Sequence, residues 1–365
     1  MVDYYLEIIK KLDKFPQETP KIEGKISQSF LDYLKLWISP EEAEFLSYFG
    51  VFPSTTSPKK VAKSTGKSLE DVNKMIDSLL IKGAIMKQGK KYSIHFPIVI
   101  FDAPMIDDIP GDLGKKFAEL SEKFYFEENW ARTFTGTKNA PLNRVIPVIE
   151  SIESSQQILA SEEIFNIIDE VDYIAVVPCA CRNRMEKIGT RKCDFPIETC
   201  LLTGFIASYF VERGKGREIS KEDAKKMVVE TSKMGLVHIT ENFNENSQHF
   251  LICSCCDCCC CILQSLTKLN NPHSLAKANF IAKVNEEVCF GCGICVDKCK
   301  FGAIKLEEKA IINENNCMGC GICATTCDSN AIKLFRKERS NIPLNLGTLM
   351  MQMMEDSGKD VKDIL

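Results

Sequence analysis

The sequence predicts an α+β protein of several domains whose chemistry lies in the second half of the chain. Its 365 residues exceed the size of one typical domain. The sign of the local charge reverses near residue 100, and all 19 cysteines lie between Cys179 and Cys327. The last eight cysteines belong to an internal repeat in which Cys289 recurs as Cys317. We therefore expect four segments with these bounds: 1–110, 111–278, 279–336 and 337–365.

The composition is that of a folded protein in a reducing compartment. Hydrophobic residues make up 45% of the chain and charged residues 26%, and the net charge of −4 gives no general attraction to nucleic acid or acidic membranes. No apolar run reaches the roughly 20 residues that a membrane span requires. A secreted, disulfide-bonded domain would be short and carry a signal peptide, a pattern that the charged opening MVDYYLEIIKKLDKF does not show. We therefore expect a cytoplasmic protein whose cysteines bind metal or carry out redox chemistry.

The first segment, residues 1–110, is predicted to be a helical module that ends in a hairpin. Ser39 and Pro40 mark a helix start, and Ser68 caps a helix over Leu69–Lys82. A hairpin is expected over residues 83–94. This order resembles a winged helix-turn-helix.

Lysine dominates the charge of this module. Residues 56–95 contain nine lysines and three acids, a local charge of +6. Lysines can contact phosphates, but the stretch contains no arginine, the residue that most often reads guanine edges. We therefore favour a module that contacts protein, and DNA binding stays open as the alternative.

The second segment, residues 111–278, is predicted to be a cysteine-rich α/β domain in which helices and strands alternate. Two of its strands lead directly into cysteines. The expected strands are Tyr173–Pro178, 236–240 and 250–252, and the expected helices are Leu201–Arg213 and a helix capped by Ser220 that ends at Lys233.

Four cysteines of this segment are candidate ligands of one metal centre. The first two form a C-x-C pair at a strand end, which can present two thiolates to one metal if the backbone turns there. Arg182 and Arg184 would compensate the negative charge of a thiolate-bound centre. Cysteine ligation alone does not choose between a third 4Fe-4S cluster and zinc. The four are Cys179, Cys181, Cys193 and Cys200.

A dense cysteine run follows, from Cys253 to Cys261, and it suggests a further metal site. If the run continues as a helix, Cys255, Cys258 and Cys259 share one face, and Cys253 can join them from the preceding strand. The alternative is a cysteine-rich apolar helix without metal. The candidate ligands are Cys253, Cys255, Cys256, Cys258 and Cys259.

The third segment, residues 279–336, contains the repeat, and each copy has the spacing C-x2-C-x2-C-x3-C. Three cysteines so spaced on glycine turns bind three corners of one iron–sulfur cube, and the fourth, expected to begin the next helix, binds the other cube. Zinc is the alternative, but it needs no such crossing between runs. Cluster I would use Cys289, Cys292, Cys295 and Cys327. Cluster II would use Cys317, Cys320, Cys323 and Cys299.

These runs resemble the bacterial dicluster ferredoxin, which holds two 4Fe-4S clusters; Lys300 and Asp328 stand where that family usually has proline. A longer stretch, about 140–335, resembles 4Fe-4S dicluster-domain proteins of anaerobic archaea and bacteria. The motifs are PCACR at 178–182, ETCLLTG at 198–204, ERGKGREIS at 212–220, GLVH at 235–238 and ICSCCDCCC at 252–260.

The resemblances imply an iron–sulfur protein that transfers single electrons. We expect an oxidoreductase, or a component of one, that relays electrons from a redox partner protein to a centre in the cysteine-rich segment. The sequence leaves open whether that centre reduces a small-molecule substrate, and hence whether the chain is an enzyme. An iron–sulfur redox-sensing transcriptional regulator is the alternative function. Residues 337–365, which contain four closely spaced methionines, are predicted to form a terminal helix.

Overall fold

The computed structural model describes residues 3–95, 97–339 and 342–363. Its first part is helical, with two short hairpins. The elements are α1 (Tyr4–Leu12), β1 (Lys21–Ile22), β2 (Lys25–Ile26), α2 (Gln28–Trp37), α3 (Pro40–Leu46), α4 (Pro58–Thr65), α5 (Leu69–Lys82), β3 (Ile85–Gln88) and β4 (Lys91–Ile94). Ser39 and Ser68 cap α3 and α5 as predicted, because each hydroxyl accepts a hydrogen bond from the backbone amide three residues on. The predicted hairpin is formed by β3 and β4.

The middle part is built around a six-stranded sheet. The elements are α6 (Pro97–Ile106), α7 (Gly111–Glu122), α8 (Ala131–Phe134), β5 (Asn143–Val145), α9 (Ile164–Glu170), β6 (Ile174–Pro178), α10 (Ala180–Lys187), β7 (Glu198–Thr203), α11 (Gly204–Glu212), β8 (Arg217–Glu218), α12 (Lys221–Lys233), β9 (Val237–Glu241), β10 (Leu251–Cys255) and α13 (Cys261–Thr267). The strand order is β5-β9-β10-β7-β6-β8, and every neighbouring pair is antiparallel. The predicted α/β class is wrong for this part, because its sheet is not the parallel sheet of α/β domains.

Two helices expected in the middle part differ in the structure. Residues 198–203 form β7, buried between β6 and β10, so that α11 begins only at Gly204. The cysteine run first extends β10, since Cys253 and Cys255 pair with β9. Residues 256–260 then form a turn, and α13 begins at Cys261. The expected helix face within the run therefore does not form.

The repeat folds into two similar halves. The elements are β11 (Phe280–Val284), α14 (Ile294–Lys298), β12 (Ile304–Leu306), β13 (Ala310–Ile312), α15 (Ile322–Thr325) and β14 (Ile332–Arg336). β11, at the start of the first copy, pairs antiparallel with β14, at the end of the second copy. β12, at the end of the first copy, pairs antiparallel with β13, at the start of the second copy. Cys299 ends α14 instead of beginning a helix. The predicted terminal helix is α16 (Leu346–Asp356).

One apolar core runs through all of these parts. It includes Phe30 from the first part, Ile206 from the middle part and Leu334 from the repeat. An ion pair between Arg336 and the buried Glu162, with Nη1 2.5 Å from Oε2, also joins the repeat to the middle part. Within the described residues, no helix is long and apolar enough to cross a membrane.

Candidate metal centres

The two cysteine sets of the repeat each surround one cavity. The cavity of cluster I is lined by Cys289, Cys292, Cys295 and Cys327. The cavity of cluster II is lined by Cys299, Cys317, Cys320 and Cys323. Cys299 and Cys327 thus lie with the cysteines of the opposite run, which is the crossed arrangement of a dicluster domain. The four thiols around each cavity fit the ligand set of a 4Fe-4S cluster.

Glycines allow the two runs to turn around these cavities. Gly291 and Gly319 have positive φ angles of 71° and 73°. A Cβ atom at these positions would also collide with the carbonyl oxygens of Glu308 and Phe280, respectively. Only glycine meets both conditions without strain, so a glycine between the first and second cysteines of each run is a structural requirement.

The two centres differ in their exposure to solvent. Cys292 of cluster I is exposed, and the neighbouring Phe290 is 66% exposed. Backbone hydrogen bonds lower the pKa of Cys289. In cluster II none of the four cysteines is exposed, and burial raises the pKa of Cys320 to about 12 and that of Cys323 well above the ordinary value. Cluster I therefore lies at the surface, whereas cluster II faces the interior of the chain.

Four cysteines of the middle part form a compact group that fits one metal ion. Their Sγ atoms all lie within 4.8 Å of one another. The Sγ of Cys193 lies 3.8 Å from those of Cys256 and Cys259, and Cys258 lies 3.6 Å from Cys259. A tetrahedral ion with metal–sulfur bonds of about 2.3 Å holds its thiolates about 3.8 Å apart, whereas the corners of a cube hold them further apart. We call these residues, Cys193, Cys256, Cys258 and Cys259, the four-cysteine group.

Arg182 supplies a positive charge beside the four-cysteine group. Its side chain is fully buried, and its guanidinium donates hydrogen bonds to the carbonyl oxygens of Pro196 (3.0 Å) and Ser254 (2.6 Å). A hydrogen bond from Cys259, helped by the charge of Arg182, lowers the pKa of Cys256 to about 5. The thiolate, the form of cysteine that binds metal, is therefore favoured at Cys256.

A larger cysteine-lined cavity lies beside the four-cysteine group. Its volume is about 100 Å³, against about 20 Å³ for each cavity of the repeat. Nine cysteines line it, and two of them, Cys256 and Cys259, also belong to the four-cysteine group. The others form what we call the seven-cysteine ring: Cys179, Cys181, Cys200, Cys253, Cys255, Cys260 and Cys261.

Contacts between thiols run all the way around the ring. The Sγ atoms of Cys200 and Cys253 lie 3.8 Å apart, as do those of Cys181 and Cys261. Side-chain interactions between thiols, which shift the pKa values of their members, connect the remaining neighbours in the ring: Cys179–Cys181, Cys179–Cys200, Cys253–Cys255, Cys255–Cys260 and Cys260–Cys261. The ring is therefore one continuous set of sulfur atoms around one cavity.

The sheet register and two helix starts assemble the ring. β6, β7 and β10 lie side by side, and Cys200 of β7 pairs with Val177 of β6. Because β7 is antiparallel to both neighbours, the start of β7 meets the ends of β6 and β10 at one edge of the sheet. Cys179 then occupies the N-terminal boundary position of α10, and Cys261 begins α13.

Two buried arginines offset the negative charge of the ring. Hydrogen bonds from neighbouring thiols, with the charge of Arg184, lower the pKa of Cys181. Hydrogen bonds from neighbouring thiols, with the charge of Arg182, do the same for Cys200. Arg184 is held by Glu122, with Nε 3.1 Å from Oε2. Both arginines therefore take the charge-compensating positions that the sequence indicates.

The structure groups the cysteines of the middle part differently from the sequence-based expectation. Cys193 does not join the other three members of its expected set, because the loop between α10 and β7 carries it to the turn at 256–260. Cys253 and Cys255, expected in a site with that turn, line the ring instead. The ring also includes Cys260 and Cys261, which were not predicted to be ligands. Their position in the cysteine run was the signal in the sequence that could have indicated them.

The histidines lie outside these sites. No histidine is found among the described residues that line the three cavities or form the four-cysteine group. His238, which is buried in β9, has its Nδ1 atom 3.2 Å from the hydroxyl of Ser254. Burial lowers the pKa of His238 to about 4, so that its ring is neutral near pH 7. It has a structural role in the sheet.

One ion pair connects the surroundings of cluster II with the four-cysteine group. Lys300 Nζ lies 3.3 Å from Asp257 Oδ1. Lys300 directly follows the cluster II cysteine Cys299, and Asp257 lies between two members of the four-cysteine group. Cluster II and the middle-part cysteines therefore meet at this contact.

The comparisons with known proteins identify the repeat. Residues 288–331 match the family described as 4Fe-4S dicluster domain. No curated protein and no solved structure matches the chain. The matched domain and the clustered cysteines show that the protein holds 4Fe-4S clusters and a further cysteine-rich metal site. The chain has a C-terminal ferredoxin-like domain and is an iron–sulfur electron-transfer protein.

Proposed function

We propose that the chain is an oxidoreductase, or the electron-transfer component of one, that accepts single electrons from a partner protein beside cluster I and delivers them past cluster II to the middle part. The observation that carries this proposal is the Lys300–Asp257 contact, which joins the inner centre of the repeat to the middle-part cysteines. Bound 4Fe-4S clusters supply the one-electron chemistry. The chain's own residues hold these centres, set their exposure and bring them together.

An exposed apolar patch beside cluster I supports the docking of a partner protein. Its side chains are between about a third and two thirds exposed: Val288, Phe290, Ile294 and Leu306. Acidic side chains border the patch: Glu286, Glu287, Glu307 and Glu308. This combination fits a one-electron carrier whose own redox centre lies in an apolar surface with a basic border.

Close packing supports electron transfer on the inner side of the repeat. Gly235 follows α12 and lies against the repeat so closely that a Cβ atom there would contact the side chain of Lys298 at 3.5 Å. Ser232 of α12 donates a hydrogen bond to Thr325 of α15 (3.4 Å). Together with the Lys300–Asp257 pair, these contacts hold cluster II against the middle part.

The cysteine-free side of the larger cavity supports a reductase over a simple carrier. Asn143 and Glu241 line this side, and each is less than 5% exposed. The Oε1 atom of Glu241 has no hydrogen-bond partner among the described residues. Buried polar groups that face a cavity are typical of small-molecule sites, so we propose that a small substrate is reduced there.

The test is whether electrons from a protein donor reach the middle part by way of cluster II. The full chain is mixed anaerobically with a reduced one-electron carrier protein whose redox centre has a basic border, and the middle-part signal is followed by freeze-quench Mössbauer spectroscopy. Cys320→Ala should slow its reduction at least about tenfold, the effect of about 1.4 kcal/mol on a rate. Reduction by a small viologen should stay unchanged, which shows that the acceptor is intact. If the protein donor reduced the middle part of the parent chain and of the Cys320→Ala variant at equal rates, the proposal would be contradicted.

A second candidate, a redox-sensing transcriptional regulator, has one structural observation in its favour. The order α3, α4, α5, β3 and β4 resembles that of a winged helix, and two isolated backbone bridges connect the segment before α4 to the hairpin. These bridges pair Val51 with Ile94 and Thr56 with Tyr92. The helix that would enter the major groove of DNA is then α5.

The acidic side chains on α5 disfavour DNA binding. The helix contains Glu70, Asp71 and Asp77, and Lys74 forms an ion pair with Glu70 (2.8 Å). These acids would lie against phosphates. We expect only weak binding of a mixed-sequence DNA duplex in a fluorescence-anisotropy titration, with steep loss of affinity as salt rises. Nanomolar, sequence-selective binding at physiological salt would favour the regulator instead.

A further inference from the structure

We propose that the seven-cysteine ring holds a single iron–sulfur cluster that is larger than a 4Fe-4S cube. The inference deepens the proposed function, because it describes the centre to which the electrons pass. It rests on the proposed function for the presence of a redox centre in the ring. Three properties of the ring carry it: the number of thiols, the size of the cavity and the burial of positive charge.

The number of thiols exceeds what one cube can use. A cube takes one thiolate at each of its four iron corners. The ring offers seven cysteines on the wall of one cavity, and the Sγ atoms of two pairs, Cys181–Cys261 and Cys200–Cys253, lie 3.8 Å apart. A single cube would use four of the seven ring thiols and leave the other three without a metal to bind. A larger cluster can bind all seven.

The size of the cavity points in the same direction. The cavity beside the ring measures about 100 Å³, five times the approximately 20 Å³ of each cavity that belongs to a 4Fe-4S cluster in the repeat. The three cavities belong to one structure, so they are directly comparable. The space inside the ring is therefore larger than the space in which this chain holds a cube.

Buried positive charge completes the fit. A cluster bound by many thiolates carries a large negative charge, which a protein interior tolerates only with compensation. Arg182 and Arg184 are both nearly fully buried, and Arg184 donates a hydrogen bond to the carbonyl of Cys259 (3.3 Å). Neither cluster of the repeat has a buried arginine among its lining residues within the described chain.

The first experiment is the metal and sulfide content of the full chain, purified and reconstituted under strict anaerobiosis with ⁵⁷Fe. We expect about fourteen irons or more per chain, because the two cubes of the repeat account for about eight, one further cube for about four and the four-cysteine group for at most about one. About twelve or thirteen irons would overturn the larger cluster and leave the proposed function standing. About eight or nine irons would overturn both. Zinc in the ring, without additional sulfide, would also overturn both.

The second experiment replaces each ring cysteine by alanine in turn. A single cluster predicts that every one of the seven variants alters the same Mössbauer component. Cys193→Ala is the matched control, because this cysteine lies in the four-cysteine group and should leave that component unchanged. The EPR signals of clusters I and II report that each variant is folded. Three or more silent positions would show that a four-ligand cube occupies the ring and would overturn the inference.

Discussion

Lys300 shows how one side chain can act on two metal centres. It follows the cluster II cysteine Cys299, so its positive charge stabilises an additional electron on that cluster. Its ammonium group is also paired with Asp257, whose negative charge offsets part of this effect. The side chains are 19% and 43% exposed, respectively, so that solvent screens both charges.

Substitution of Lys300 and substitution of Asp257 should shift the reduction potential of cluster II in opposite directions. Asp257→Asn removes a negative charge and should raise the potential, whereas Lys300→Met should lower it. Each shift should be about 40 mV or less, the equivalent of about 1 kcal/mol for a partly exposed pair and one electron. Redox titration followed by EPR measures both, with Lys305→Met as an exposed control. Shifts of the same sign would contradict the assignment.

Cys193 provides a separate test of the four-cysteine group. Because a single tetrahedral ion contains no sulfide, Cys193→Ala should remove about one metal ion per chain and no acid-labile sulfide. Elemental analysis and sulfide determination measure the two quantities. Cys295→Ala is the control, since loss of a cluster I ligand should reduce iron and sulfide together. Sulfide loss from the Cys193 variant would mean that a cluster, and not one ion, occupies the group.

At the scale of elements, the loop before α14 has two functions. Its glycines let three cysteines turn around cluster I, and its apolar side chains face solvent beside the same cluster. Val288 and Phe290 flank Cys289 on either side, so ligation and docking use alternate residues of one short segment. The loop therefore sets both the position of cluster I and its accessibility to a partner.

Truncation of Phe290, the most exposed aromatic side chain of this loop, should weaken partner docking. Phe290→Ala should lower the second-order rate constant for reduction by a protein donor about five- to thirtyfold, the effect of 1–2 kcal/mol at an interface anchor. Stopped-flow kinetics measure this rate. Ile22→Ala, which truncates another exposed apolar side chain far along the chain, is the control. An equal effect on reduction by a small viologen would show damage to cluster I instead of lost docking.

The contact between β4 and α11 makes the fold sensitive to acid. His95 follows β4, is fully buried and packs its ring 4.4 Å from the ring of Tyr209 on α11. Its two ring nitrogens have no hydrogen-bond partner among the described residues. Burial, together with the charge of Arg213, lowers the pKa of His95 to about 3. The native state therefore holds this imidazole neutral.

Stability should fall as pH decreases below about 6.5, because the unfolded chain then binds a proton at His95 that the native chain does not bind until about pH 3. The loss attributable to this group is about 1.4 kcal/mol at pH 5.5. His95→Phe should remove it, so the variant should lose less thermal stability than the parent between pH 7.5 and 5.5. His273→Asn is the control. Equal losses in parent and variant would contradict the assignment.

At the scale of the whole molecule, the cysteine-free first part supports the metal-binding parts. Phe30 and Tyr33 of α2 pack against Phe117 and Phe124, which belong to the middle part. In addition, Tyr209 donates a hydrogen bond to a backbone carbonyl at the end of α5 (2.9 Å). The first part is therefore joined to the middle part by buried contacts and not by a flexible linker.

Deletion of residues 1–94 should destabilise the remaining chain and reduce its iron content. Each large apolar side chain that loses its cover costs about 2 kcal/mol, and several such losses approach the total stability of a typical domain. Differential scanning calorimetry and iron analysis measure the effect. A variant with Lys59, Lys60 and Lys63 replaced by alanine is the control and should match the full chain. If the midpoint temperature of thermal unfolding were the same in the truncated chain and the full chain, the first part would be an independent module.

The repeat and its chemistry can be predicted from the spacing of residues along the chain. Ligands spaced two or three residues apart are placed by the local turn, and the glycines that permit this turn are visible in the sequence. The pairing of Cys299 with the second run and of Cys327 with the first follows from the doubled spacing, and both cysteines line the expected cavities. The caps of α3 and α5 were likewise readable, because a cap is a contact between neighbours in the chain.

The grouping of the remaining cysteines depends on the packing of distant segments and could not be predicted from their spacing. Cys193 lies far along the chain from the turn at 256–260, and nothing in the local spacing indicates that they meet. The ring depends on the antiparallel register of three strands and on the starts of α10 and α13, so a shift of one residue would turn its cysteines to the other face of the sheet. Contacts between distant segments are set by the packing of the whole chain, which spacing along the sequence does not record.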